Sequence, residues 1–453
     1  MPPIPGRRAV LSAGGTLVLV LGTAPGVGVP LTGAPSALAP HEECAPAPGT
    51  QAGLSESLDT EPGFSPSTGT VSALTVFIDF PDAPAPISTQ ERFGEFFPET
   101  AEQFAASSYG RLRYQAVPVH RWLRMSQPFA DYGIDRGAGW RPDDEQGYNR
   151  LLREIVAALE GETPEADQTG GKTSGEAAGR EAPGERDGGG EGAGQAVGTP
   201  VDLSEYDLVN VLATPNAGPP ATERVLSVSF PGRDLVATSN GPLRNVSFIW
   251  SRQPGPAEHR VLVHENGHVF GLPDLYWTGA GRPPQLTGHW DVMEQDWGPP
   301  NDFLAWHKWK LGWLLPDQVD CVAEPGTSEH LLTPVDAPGT EGTRLLAVRT
   351  GEHEALAIEV RTPGGLDEVV CRPGVLVSRI STATRSGYGP VTVEDATPGS
   401  EGCQAVPDPQ VTAQLTDAPF VPGETFRDEQ ARVSVEVLEA DAAGRHRVRV
   451  SHW

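Results

Sequence analysis

The sequence predicts an α+β fold, in which a twisted mixed sheet with helices is followed by a small all-β, sandwich-like domain. Three observations predict it. Runs rich in branched and aromatic residues alternate with helical periodicities up to about residue 320. From about residue 322 onward only short alternating segments remain, punctuated by Gly and Pro. The 53 Gly and 45 Pro among 453 residues indicate a loop-rich protein rather than a helical bundle. A chain of this length can bury one sizeable core and a second beside it.

Residues 1–39 read as a signal peptide. Arg7 and Arg8 precede an apolar stretch from Ala9 to about Leu21, and small residues around Ala34–Ala39 offer cleavage sites. The arginine pair also has a twin-arginine look. The stretch is too short and too interrupted by Gly and Pro to span a bilayer, and no later segment is long and apolar enough. Residues 40–70 read as a linker or short pro-segment, 71–320 as the first folded domain and 321–453 as the β-rich domain.

Val71–Phe80 is a strand on its branched and aromatic content. Ile87-Ser88-Thr89 followed by Glu91 to Ala106 reads as one capped helix, with Phe93, Phe96, Phe97 and Phe104 roughly on one side as core. Leu112–Val119 is a second strand, and Tyr148–Leu159 an amphipathic helix. The Gly/Glu-rich insertion at 161–199 holds, between 161 and 196, no Ile, Leu, Val, Met or aromatic residue. It cannot bury enough apolar surface to offset its ordering entropy, so disorder is expected. Strand signals resume at Asp207–Ala213, Arg224–Phe230 and Asn245–Trp250. The last leads through a Pro-containing turn into a helix around 258–270, and Phe303–Trp313 is a further, Trp-dense helix. In the C-terminal part, strands are expected at Arg344–Arg349, Ala355–Arg361, Val375–Ile380, Ala431–Leu438 and His446–Val450.

Chemistry concentrates in His264-Glu265-Asn266-Gly267-His268-Val269-Phe270-Gly271-Leu272-Pro273-Asp274. Residues four apart share a helix face, so the imidazoles of His264 and His268 converge on one ion. Glu265 places a carboxylate beside that ion without ligating it. Gly271 can adopt the left-handed conformation that ends the helix, and Asp274 then supplies the third ligand. Three protein ligands leave an open position on a tetrahedral zinc, which distinguishes catalytic from structural sites. Downstream, Gly288-His289-Trp290-Asp291-Val292-Met293 places one of only three Met in a tight turn. His289 and His307 are further candidates for ligand or acid–base roles, with packing as the commoner use of isolated histidines.

The run 264–276, with Gly-His-Trp-Asp-Val-Met at 288–293 and Phe-Leu-Ala-Trp-His-Lys-Trp-Lys-Leu-Gly-Trp at 303–313, resembles secreted metallopeptidases of the immune inhibitor A type. Ser108–Leu112 and Tyr206–Val209 extend the resemblance, which covers roughly residues 70–320. It implies a zincin/metzincin-like catalytic domain and zinc-dependent hydrolysis of peptide bonds through a zinc-activated water. His264, His268 and Asp274 would be the metal ligands, Glu265 the general base, and the Met293 turn the floor beneath them. Asp274 stands where metzincins more often carry a third His. Two other readings stay open to the sequence: a zinc-containing but non-proteolytic secreted binding protein that uses its C-terminal β-domain, and a zinc hydrolase acting on esters or other amides.

The net charge of −27 argues against nucleic-acid binding, which needs clustered Lys and Arg. It fits the solvated surface of an exported monomer acting on protein or peptide substrates. Calcium is a second metal to consider, but no Asp-x-Asp-x-Asp-Gly loop supports it. Four Cys in an exported chain favour two disulfides. Of the three connectivities, Cys371–Cys403 with Cys44–Cys321 is preferred, closing a local C-terminal loop and tying the ends of the catalytic domain together. No Cys-x-x-Cys spacing suggests a cysteine zinc site.

Overall fold

The computed structural model describes residues 42–453 apart from 51–52, 59, 135–138, 143–144, 162–199, 218–226, 251–257, 281–285 and 404–412. The expected signal peptide, the insertion beyond Gly161 and the turn leading into the motif helix lie outside the described residues. The architecture is mixed α+β, with several sheets and few helices.

The first sheet contains β1 (Gly69–Asp79), β2 (Leu112–Arg124), β3 (Leu208–Ala213), β4 (Val228–Phe230) and β7 (Val246–Ile249), in the order β2-β1-β3-β7-β4. The pairs β1–β2, β1–β3 and β3–β7 are parallel, and among the described strands only β4 runs antiparallel. A parallel sheet is covered on both faces, and β1 accordingly sends apolar residues to both. Val71, Ala73 and Phe77 enter one core while Leu74, Val76 and Ile78 enter another. The second core is closed by α3 (Gly147–Glu160) through Leu151, Leu152, Ile155 and Leu159. The first holds Val261, Leu262 and Val263 of α4 (Glu258–Val269), the motif helix. A small hairpin of β5 (Val236–Thr238) and β6 (Gly241–Leu243) stands beside this sheet.

The helix expected as one piece from Glu91 to Ala106 is two: α1 (Thr89–Gly94) and α2 (Glu99–Ser107). Pro98 sits at the break, where its missing N–H and its ring end the first hydrogen-bond ladder. The expected cap is supplied by Ser88, which forms a capping box with Glu91, and Phe96, Phe97 and Phe104 are buried. The Trp-dense helix is shorter than its sequence signal, α5 (Ala305–Lys310), and ends before Gly312 at φ +70°.

Two further sheets form the C-terminal part. One has the order β13-β12-β11-β10-β8, from β8 (Val319–Val322), β10 (Leu345–Arg349), β11 (Glu354–Arg361), β12 (Gly374–Ser381) and β13 (Val391–Val393). The other is β14-β15-β16-β9, from β9 (Gly326–Leu332), β14 (Thr425–Asp428), β15 (Val433–Ala440) and β16 (His446–His452). Leu346, Val348, Ile358 and Val377 of the first meet Val435, Val437, Val448 and Val450 of the second in a sandwich core. The opposite face of the five-stranded sheet is buried too. Leu345, Ala347, Ala357 and Leu376 join the same core as α4 and α5.

Buried ions stitch this seam. Arg361 of β11 pairs with Glu359 at 2.6 Å and Asp367 at 2.6 Å, and donates to the carbonyls of Trp290 and Phe303. Glu359 in turn accepts the Ala305 amide at the start of α5, at 2.7 Å. Described residues between 42 and 68 reach the same seam. Glu56 is fully buried against His307, and the indoles of Trp306 and Trp313 donate to the carbonyls of Glu56 and Ser67. The disulfides are Cys44–Cys321 and Cys371–Cys403, the preferred pairing. No described helix is long and apolar enough to cross a membrane.

Candidate metal centre

Helix α4 brings His264, Glu265 and His268 to one side because four residues make about one turn. Its end has the geometry that the glycine implied. Gly271 sits at φ +104°, the Leu272 amide bonds the Gly267 carbonyl at 2.9 Å, and the Gly271 amide bonds the His268 carbonyl at 2.9 Å. That pair of bonds reverses the chain. It returns Asp274 to the imidazoles, with its Oδ1 3.3 Å from His264 Nε2 and 3.1 Å from His268 Nε2.

The ring nitrogens are sorted by the backbone. His264 Nδ1 lies 3.0 Å from the Val292 carbonyl and His268 Nδ1 2.8 Å from the Leu272 carbonyl. A carbonyl can only accept, so both Nδ1 atoms carry hydrogen, and both Nε2 atoms point toward Asp274. Metal-ligating histidines are held in this way. Ligand atoms around a tetrahedral zinc, with bonds of about 2.0–2.2 Å, lie roughly 3.3 Å apart, and the two His–Asp spacings match that value. Among the described residues this is the cluster of His, Cys, Asp and Glu side chains that could hold a metal, its ligand atoms all within 4.8 Å of one another.

Electrostatics tie the three together. Burial opposes a charged His264, but Asp274, Asp296 and Glu265 outweigh it and push its pKa up to about 10. Burial likewise opposes a charged Asp274, and the two imidazoles hold it well below the usual carboxylate range. Burial raises the pKa of Glu265 against the pull of both histidines. Tyr276 stacks on His264 with ring centroids 6.0 Å apart, and burial beside Asp274 raises its hydroxyl pKa.

Glu265 is anchored from the sheet. Ser229 of β4 places its Oγ 2.8 Å from Glu265 Oε2, and Ser247 of β7 lies 2.8 Å behind it. Asn266, the next helix residue, donates to Ser247 and Asn210 and accepts from Tyr114 at 2.7 Å. This buried network fixes the rotation of α4 on the sheet. One Glu265 oxygen is thereby held while the carboxylate stays at the helix face that carries the histidines.

The turn that carries Met293 packs against α4. Met293 is fully buried, and a Cβ added at Gly267 would come 2.5 Å from its sulfur, so the helix and the turn touch through a glycine. Asp291 builds the turn by accepting the amides of Met293 and Leu304, each at 2.7 Å. His307 holds Asp291 from below, Nδ1 to Oδ2 at 2.7 Å, while its Nε2 faces Glu56 at 3.1 Å. His307 is thus a buried support rather than a ligand. His289 is buried and stacked on Trp290 with centroids 5.2 Å apart; burial, then Arg361 and Arg260, push its pKa down to about 4. It takes no part in the cluster.

The structure brings His264, Glu265, His268 and Asp274 together. Sequence reasoning did not find Ser229, Asp296 or Ser386, whose Oγ donates to Asp274 Oδ2 at 3.2 Å. Each lies far from the motif in sequence or carries no spacing signal of its own.

No family model and no curated protein matches the chain. Among solved structures, a catalytically inactive OgpA from Akkermansia muciniphila, in complex with an O-glycopeptide (glycodrosocin) substrate, is similar at 8% identity. The likeness covers 87% of this chain and 96% of that chain with a TM-score of 0.22, too low to bear on fold or function.

Proposed function

We propose that the chain is a secreted zinc-dependent endopeptidase of zincin/metzincin-like architecture, akin to the immune inhibitor A type, acting on extracellular proteins or peptides. One observation carries this reading: Asp274 Oδ1 lies at zinc-ligand spacing from both His264 Nε2 and His268 Nε2, with a buried Glu265 beside them. The two disulfides suit an oxidising, extracellular setting.

The two histidines and Asp274 would hold the ion, with their outer atoms tied to Val292, Leu272 and Ser386. When bound, zinc supplies Lewis acidity that polarises the scissile carbonyl and acidifies water. Glu265 removes a proton from the attacking water and returns it to the leaving amine. Ser229 keeps the carboxylate from swinging away between those two transfers. The floor formed by Met293 and Gly267 resists tilting of the helix that carries two of the ligands.

Glu265→Gln tests the assignment. The amide preserves shape and the Ser229 contact but cannot accept the proton. We expect zinc content unchanged and cleavage of a casein or peptide substrate reduced about 10²- to 10⁴-fold, the usual contribution of a general base. Full activity in this variant would sink the assignment.

A further inference from the structure

We propose that Ser386, on the connection between β12 and β13, is a positioning residue for the third metal ligand. The inference rests on the reading of His264, His268 and Asp274 as a zinc site. The two histidines are fixed by their helix and by their Nδ1 bonds. Asp274 lies beyond the helix end, in a stretch without regular structure, and its orientation has to come from elsewhere.

It comes from the C-terminal sheet. The Ser386 hydroxyl accepts the Asp274 amide at 2.9 Å and donates to Asp274 Oδ2 at 3.2 Å. One side chain therefore grips both the backbone and the outer carboxylate oxygen of the same residue. That leaves Oδ1 as the oxygen facing both imidazoles. The backbone reinforces the grip. The Gly387 amide bonds the Asp274 carbonyl at 2.9 Å, and the Thr278 amide and hydroxyl both reach the Gly387 carbonyl, at 2.8 and 2.9 Å. Gly387 is at φ +74°, and a Cβ there would stand 2.5 Å from Thr278 Oγ1, so the approach demands glycine. The C-terminal half thus completes the metal site instead of hanging beside it.

The test compares zinc affinity of the full mature chain and its Ser386→Ala variant by competition with a chromophoric chelator. The Co²⁺ visible spectrum and the melting temperature of the metal-free proteins are recorded alongside. Removing an outer partner of a ligand lowers metal affinity about 10- to 100-fold. We expect that loss in Ser386→Ala, a changed Co²⁺ spectrum, an unchanged metal-free melting temperature, and recovery in Ser386→Thr, which keeps the hydroxyl. If wild type binds one zinc and Ser386→Ala binds it equally tightly, the positioning role falls while the metal site stands. A weakening matched by a comparable loss of metal-free stability, with no recovery in Ser386→Thr, also overturns it. Wild type without zinc at these residues would overturn the parent reading and this inference with it.

Discussion

Met293→Ala probes the floor of the site. The substitution removes three heavy atoms from a side chain that is wholly buried. At about 0.8 kcal/mol for each methylene-sized group, lost burial costs about 2.4 kcal/mol. A vacated volume of about 60 Å³, at about 24 cal/mol per Å³, adds about 1.4 kcal/mol, for a total near 4 kcal/mol before relaxation. The cavity would open against Gly267, between the two histidines of α4, so the turn carrying His264 and His268 loses its support along with the stability. Urea denaturation of the metal-free protein measures the first effect, and zinc competition the second. Met293→Leu, which nearly conserves volume, should cost less than about 1.5 kcal/mol. A Met293→Ala protein within 1 kcal/mol of wild type, and with wild-type zinc affinity, would refute the packing argument.

His307 predicts a pH dependence. Burial opposes its charge, but Asp291 and Glu56 prevail and raise its pKa to about 10, above the ordinary 6.5. A raised folded pKa means that the stabilisation is fully present below about 6.5 and is lost as pH rises toward and through 10. Denaturation midpoints should fall across that window, and the fall should be shallower in His307→Gln; identical slopes would contradict the ion-paired His307. The two disulfides should differ in value. Cys44–Cys321 spans 277 residues and Cys371–Cys403 spans 32. Chain entropy assigns about 5–6 and about 3–4 kcal/mol to them, so the Cys44→Ala/Cys321→Ala pair should denature at lower urea than Cys371→Ala/Cys403→Ala.

Local patterns in the sequence marked local structure well. Val71–Phe80 reads as a strand because a parallel sheet buries both faces and so draws branched and aromatic residues to each, and the strand observed is Gly69–Asp79. The Ile87-Ser88-Thr89 cap signal and Gly271 each announced a helix end through bonds that span only a few residues. The motif helix carried its own spacing, so His264, Glu265, His268 and Asp274 were legible together. Short strands such as β5, β6, β9 and β14 were missed; exposed positions and few residues give them little periodicity. The long-range partners left no sequence trace at all. Ser229 meets Glu265 from 36 residues away and Ser386 meets Asp274 from 112, and a lone serine has no pattern that foretells its neighbour. The helix break at Pro98 was visible in principle, but the aromatic spacing across it outweighed the proline.

The central claim is that His264, His268 and Asp274 hold a zinc ion that the protein uses to cut peptide bonds. Metal analysis of the purified mature protein, paired with cleavage of a peptide library before and after chelation, tests it most directly. One zinc per chain is expected, with loss of all cleavage when it is removed and recovery on adding zinc back. Cleavage that persists undiminished in the metal-free protein, or a zinc-loaded protein that cuts no peptide, would contradict it.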